Sequence, residues 1–227
     1  MRIAMINGSP KLGKSNSGIL VQRLEPYLKE GNEILQYNIS KKPLTSEQYR
    51  ELLTMDVLIL AFPLYIDAIP SHLFQMLVTF EEYCKKEENK DIHVYTFINN
   101  GFYEGKQSST AVEILKHWCL RSGLHFGQAI CQGGGEMLGF LEQVPAGHGP
   151  IKNLSAALKN LTDNIRSGAS DKTLQFSPNM PRFVWMLTAE YGFWNAKAKK
   201  NGLNKRDIVG KLDGAKYIGG TKHTERN

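Results

Sequence analysis

Cysteine is scarce: Cys84, Cys119 and Cys131 are the only three in 227 residues, widely spaced and odd in number. With no C-x-x-C pair, neither a disulfide framework nor a zinc or iron–sulfur site is supported, and a reduced cytoplasm is the expected compartment. Long apolar runs are also missing. None approaches the roughly 20 residues that cross a bilayer, so no membrane span is expected. The first residues read directly as a strand, without the charged and apolar regions of a signal peptide. The six histidines show no metal-ligand spacing, and no Ser–His–Asp or paired-carboxylate arrangement stands out. No internal repeat or low-complexity segment interrupts the chain.

Excess charge is missing from most of the chain. From Asn179 onward, ten Lys or Arg face four acids, a surplus of six that is the whole net charge of the protein. The preceding residues are balanced. A high isoelectric point therefore does not argue for nucleic acid, and no nucleic-acid partner is expected.

What the sequence does have begins at Gly8-Ser-Pro-Lys-Leu-Gly-Lys-Ser-Asn-Ser17, between the apolar run Ile3-Ala-Met-Ile6 and an amphipathic segment. Strand, Gly- and hydroxyl-rich turn, then helix is an anion-holding arrangement. Backbone N–H groups at the helix N-terminus point at the anion and the macrodipole adds positive charge. Ser9, Ser15, Asn16 and Ser17 add donors. The same letters fit the triphosphate-loop pattern G-x-x-x-x-G-K-[ST], so the rest of the chain must decide which phosphate is meant.

Apolar positions at helical spacing follow to Gly31, then a strand over residues 33–39. Thr45-Ser-Glu-Gln48 has the form of a capping box. Asp56 to Phe62 reads as a central parallel strand buried on both faces. Pro70 opens a helix carrying Leu73, Phe74, Leu77 and Phe80, with a charged exit over residues 85–90. A fourth strand spans residues 92–98. Ser108-Ser-Thr110 is placed to cap a helix that stops at Gly123. A fifth strand spans residues 124–131, and a last helix runs to Gly168. Five β–α units argue for a parallel sheet covered on both faces, with ligand loops beyond the carboxyl ends of the strands.

Three loops converge there. The first is the phosphate stretch. The second, residues 62–70, is unusually apolar and aromatic and suits a flat heteroaromatic ring. The third, residues 99–105, offers amides beside Phe102 and Tyr103. A triphosphatase needs an acid at a strand end to hold Mg²⁺. The strands after the first end in Ile39-Ser40, Phe62-Pro63, Ile98-Asn99 and Cys131-Gln132, none acidic. Phosphate donors, an apolar shelf and polar amides together describe a flavin mononucleotide site. Gly133-Gly-Gly135 reads either as backbone brought close to a ligand or as flexible linkage.

With these residues the chain resembles the NAD(P)H-dependent FMN reductase and flavodoxin-like oxidoreductase family. Ile6-Asn-Gly-Ser-Pro-Lys11 with Ser15-Asn-Ser17 matches the family's phosphate turn, and Pro63-Leu-Tyr65 followed by Pro70 its second flavin loop. Gly13-Lys14 is the departure. The likeness covers roughly residues 1–168. It implies an α/β, flavodoxin-like three-layer sandwich with a five-stranded parallel sheet, assigned to residues 1–178; the basic, aromatic-rich remainder, residues 179–227, is expected as a C-terminal helical extension. It implies FMN held at its phosphate by Ser9, Lys11, Ser15, Asn16 and Ser17. Ring contacts are implied from Pro63, Leu64, Tyr65, Ile66, Asn99, Asn100, Gly101, Phe102 and Tyr103. NADPH or NADH as co-substrate and a small-molecule electron acceptor such as a quinone, flavin or nitro compound go with the same resemblance, and a homodimer or higher homo-oligomer is expected. A flavodoxin-like carrier without nicotinamide chemistry is the alternative. No catalytic residue is assigned, since the flavin carries the chemistry.

Beyond the likeness, Phe183, Leu187, Tyr191, Trp194 and Ala198 fall on one helical stripe, expected to be buried against the domain or a subunit partner.

Overall fold

The apolar run Val-Leu-Ile-Leu-Ala-Phe-Pro is β3 (Val57–Pro63), hydrogen-bonded between β1 (Arg2–Asn7) and β4 (His93–Asn99). With no polar side chain before its end, it is stable only where both faces are covered, which is where a central parallel strand lies. The computed structural model describes residues 1–209 apart from 41 and 88–90. The chain forms two units, Met1–Met180 and Pro181–Asn227.

In the first unit β2 (Glu33–Asn38), β1, β3, β4, β5 (His125–Gln132) and β6 (Leu174–Phe176) make one sheet in the order β2-β1-β3-β4-β5-β6, every pair parallel. Strand alternation divides the core. Val57, Ile59 and Ala61 pack with Leu20 and Leu24 of α1 (Asn16–Leu28) and Leu158 and Leu161 of α5 (Lys152–Ser167). Leu58, Leu60 and Phe62 pack with Leu52 of α2 (Ser46–Leu52), Leu77 of α3 (Ser71–Cys84) and Leu115 of α4 (Ser109–Ser122).

The sequence expectation of five strands is corrected to six. β6 has three residues, too short to show a period, and exists because Leu174, Gln175 and Phe176 pair with Ile130, Cys131 and Gln132 at the open edge of β5. Local signals fared better. Thr45 and Gln48 make the reciprocal capping box, and Gly123 and Gly168 end α4 and α5 at φ +66° and +63°, where a Cβ would be strained. Ser108 departs from expectation. It makes no capping bond to α4; its Oγ instead accepts from Asn100 Nδ2 at 3.2 Å.

The second unit contains α6 (Arg182–Leu187), a wide π-helical stretch over Thr188–Trp194, α7 (Asn195–Lys200) and α8 (Lys205–Val209). The second unit does not by itself cover the aromatic stripe. Phe183, Leu187, Tyr191 and Trp194 are all at least half exposed, and of the five only Ala198 is buried. The π stretch has a wider turn than the 3.6-residue register on which the stripe was read. Lys197 Nζ instead lies 4.1 Å over the Phe193 ring. Residues 88–90 of the charged exit, and Lys211, Lys216, Lys222 and Arg226 of the basic tail, lie outside the described residues. Among the described residues no helix is long and apolar enough to cross a membrane.

Candidate functional site

Asn7, Pro63, Asn99 and Gln132 end β1, β3, β4 and β5, and by strand alternation all lie on the α1 face of the sheet. Pro63 is opposite Asn99, and Asn99 opposite Gln132. The loops that leave this row are fastened to one another. Gly8 N donates to Ala61 O at 2.8 Å, Leu64 N to Asn99 O at 2.8 Å, and Asn100 N to Gln132 O at 3.0 Å.

Backbone accounting picks out the phosphate loop. Ser15 caps α1, its Oγ accepting from Gly18 N at 3.1 Å and from Asn7 Nδ2 at 3.3 Å. Among the described residues, the N–H groups of residues 12–17 donate to no acceptor in the chain. Gly13 at φ +92° turns the backbone so that these groups can converge, and the first turn of α1 holds no acid. Six unpartnered donors and a positive helix end are the elements from which an anion cradle is built.

Hydroxyl chemistry then separates the expected contact residues. Ser9 Oγ accepts from Lys11 N at 3.3 Å; like Ser15, it keeps its own proton to donate. Asn16 is half-buried and its amide makes no hydrogen bond among the described residues. Lys11 is exposed. Ser17 differs: its single proton goes to Asn99 Oδ1 at 3.0 Å, with both side chains buried. Ser17 thus joins the phosphate loop to the third loop.

The second loop is strained where it is most apolar. Tyr65 and Ala68 exchange backbone hydrogen bonds of 3.1 and 3.0 Å around Ile66 and Asp67, which sit at φ +47° and +57°. Two consecutive left-handed residues make a type I′ turn, normally Asn-Gly. Here a β-branched residue occupies it, wholly exposed, beside a half-exposed Tyr65. Pro63 and Leu64 are half-buried beneath them. A cavity of about 390 Å³ opens between Pro10 and this turn, bounded by Pro70 and His72. Burial holds the His72 imidazole below its ordinary pKa, against the opposing effect of a hydrogen bond to the Gly8 backbone. A second cavity, of about 230 Å³, lies beside Lys14, Ser15 and Tyr37 and shares no residue with the second and third loops.

In the third loop Asn100 is a strut. Its Oδ1 accepts from Phe102 N at 3.0 Å while Nδ2 reaches Ser108 and Glu104 O. Tyr103 donates its hydroxyl to Met180 O at 2.7 Å. Gly101 and Phe102 are exposed.

A fourth loop leaves the same edge after β5. Gly133-Gly-Gly135 is buried and fastened, which removes the flexible-linkage alternative. Gly133 N donates to Phe176 O at 2.9 Å and Gly135 N to Asn100 O at 2.7 Å. A Cβ on Gly133 would stand 2.0 Å from Tyr103 O, and one on Gly135 2.9 Å from Asn99 Cβ. Three adjacent glycines at a strand end were the available signal for such close approach. The loop continues past Glu136 and Gly139, which adjoin Gly101 and Asn16. At Glu142 its carboxylate takes the Lys14 ammonium at 2.6 Å. Gln132 Oε1, at the head of this loop, is buried without a partner among the described residues.

No protein-family model matches the chain, and no curated protein does. Solved structures do. An NADH:FMN oxidoreductase in its apo form is similar at TM-score 0.55 and 15% identity, over 75% of this chain and 90% of that one. An NADPH-quinone reductase from P. pentosaceus is similar at TM-score 0.52 and 16% identity, over 75% and 99%. A flavodoxin from Streptococcus pneumoniae TIGR4 is similar at TM-score 0.50 and 11% identity, over 74% and 99%. At these identities the likeness is one of fold, and the fold of residues 1–180 is flavodoxin-like.

Proposed function

We propose that the chain is an FMN-dependent NAD(P)H oxidoreductase that passes electrons to a small acceptor such as a quinone, a flavin or a nitro compound. The observation that carries this reading is that the six unpartnered N–H groups of residues 12–17 follow the carboxyl end of β1 at the same sheet edge from which the strained apolar turn at Ile66 follows β3, with Pro10 and Ile66 lining one cavity. The donors fit one phosphate, and the apolar turn fits a flat ring.

On this reading Ser9, Ser15, Asn16 and the loop backbone bind the phosphate, with Lys11 adding charge at the rim. Pro63, Leu64, Tyr65 and Ile66 wall one face of the ring. Gly101 and Phe102 offer exposed backbone to its polar edge. Asn99, Asn100 and Ser17 act by holding the loops at their spacing, and Tyr103 by tying the third loop to Met180. Bound flavin would supply two-electron transfer between nicotinamide and acceptor. The chain's part is to orient both and exclude water. Self-association belongs to the same reading and is supported by the exposed apolar side chains of residues 183–194.

A triphosphate is disfavoured by two features: Lys14 is paired with Glu142, and no strand of the sheet ends in an acid. The test is the visible spectrum of the purified protein with added FMN, before and after anaerobic NADPH or NADH. The expected result is flavin absorbance that bleaches. Failure to bind FMN refutes the reading; binding without bleaching by either nucleotide identifies an electron carrier instead.

A further inference from the structure

Lys14 occupies the position at which a triphosphate loop places its phosphate-binding lysine, yet its ammonium is not turned into the cradle. It lies 2.6 Å from Glu142 Oε2, across 128 residues of sequence. The carboxylate is held in place independently of that contact. Arg23 Nη2 donates to Leu141 O at 2.8 Å and to Glu142 O at 3.1 Å, pinning the backbone on either side. Glu142 Oε1 is buried without a partner, so the carboxylate has no second protein donor among the described residues to compete with Lys14. Its side chain is 24% exposed and that of Lys14 69%. The fixed member of the pair is thus the acid, and the mobile cation comes to it.

The N–H groups of residues 12–17 flank Lys14 on both sides. An anion in the cradle therefore meets a lysine already neutralised and a fixed negative charge close behind it. We propose that Glu142 sets the anion selectivity of this loop. By holding Lys14 it leaves the backbone donors to bind one phosphate, and withholds the cation that a diphosphate or triphosphate requires. The inference deepens the single-phosphate reading above and rests on it for the identity of FMN as ligand.

The test compares the intact wild-type chain with E142Q, K14M and K14M/E142Q. Dissociation constants for FMN and for riboflavin, which has no phosphate, are read by flavin fluorescence. Releasing the Lys14 ammonium to a phosphate dianion at partly screened range should tighten FMN binding on the order of tenfold, with riboflavin unchanged. The gain should shrink in the K14M background, because it acts by releasing Lys14. Equal affinity of E142Q and wild type for FMN would overturn the proposal. So would an equal shift for FMN and riboflavin, or an undiminished gain in the double variant. Thermal shifts with inorganic phosphate and pyrophosphate give a readout that needs no flavin. E142Q should be stabilised by pyrophosphate more than wild type is, and identical shifts refute the role of Glu142. If the wild type binds no FMN, the flavin reading fails while the pyrophosphate comparison still decides the selectivity.

Discussion

Ile66 offers the sharpest test of the link between strain and site. Its φ of +47° places a β-branched residue in the left-handed region, and its side chain is wholly exposed. Such a conformation costs about 1–2 kcal/mol in a residue with a Cβ. No burial offsets that cost in the free protein. Asparagine tolerates the left-handed region, is favoured at the first centre of a type I′ turn, and avoids the entropy of glycine in the unfolded chain. Ile66→Asn should therefore stabilise the FMN-free protein by about 1 kcal/mol, which raises Tm by about 2–4 °C in a chain of this size. The same change removes an apolar wall worth about 1–2 kcal/mol if it covers a ring, so FMN should bind roughly tenfold more weakly. Differential scanning calorimetry and a fluorescence titration on the same preparations measure both. An Ile66→Asn protein that is less stable than wild type refutes the strain argument. One that is more stable and binds FMN equally well refutes the wall.

Three further outcomes follow from the same geometry. Ser17→Ala leaves the buried Asn99 Oδ1 without its donor, which should cost about 1–3 kcal/mol in urea unfolding and weaken FMN binding; unchanged stability would show that the bond carries nothing. His72 is held below its ordinary pKa of 6.5 by burial. The unfolded chain then binds a proton that the native state refuses, so stability is full above pH 6.5 and falls as pH drops below it. Stability should decline less between pH 7.5 and 5.5 in His72→Gln than in wild type, and equal slopes would contradict the assignment. Burial pushes the Cys119 and Cys131 thiols up to about 12, and all three cysteines are buried without disulfides. A thiol-reactive chromogen at pH 8 should therefore find no fast-reacting group in the native protein and three after denaturation; rapid modification of the native chain would refute the burial.

How far the sequence could be read depended on how local the cause was. β3, the Thr45–Gln48 cap and the stops at Gly123 and Gly168 depend on neighbouring residues or on burial of a continuous run, and were legible. So was the convergence of the first three loops, because doubly wound topology puts every strand's carboxyl end at one edge. The use made of each loop residue was not. Ser17 and Asn99 meet across 82 residues and Lys14 and Glu142 across 128, and no periodicity reports a pairing of that span. The Ser17 hydroxyl proton is committed to the third loop, a use that its place in the phosphate stretch does not report. The three residues of β6 carried no pattern, and the π stretch at residues 188–194 broke the spacing on which the aromatic stripe had been read.

The short sixth strand has a consequence for how the chain can be shortened or spliced. Every fully buried member of the two core layers lies before Gly168, with Leu174 and Phe176 only packing on one of them from the edge, so a protein ending there would keep most of its central packing. It would nonetheless lose Phe176, whose carbonyl receives Gly133 and whose backbone adjoins Gly105, and Met180, which receives the Tyr103 hydroxyl. The third and fourth loops would be released together while the far side of the sheet stayed intact. The minimal folding unit and the minimal ligand-competent unit thus end at different residues. A chain cut after 168 should unfold cooperatively yet bind poorly, and one cut after 180 should do both well.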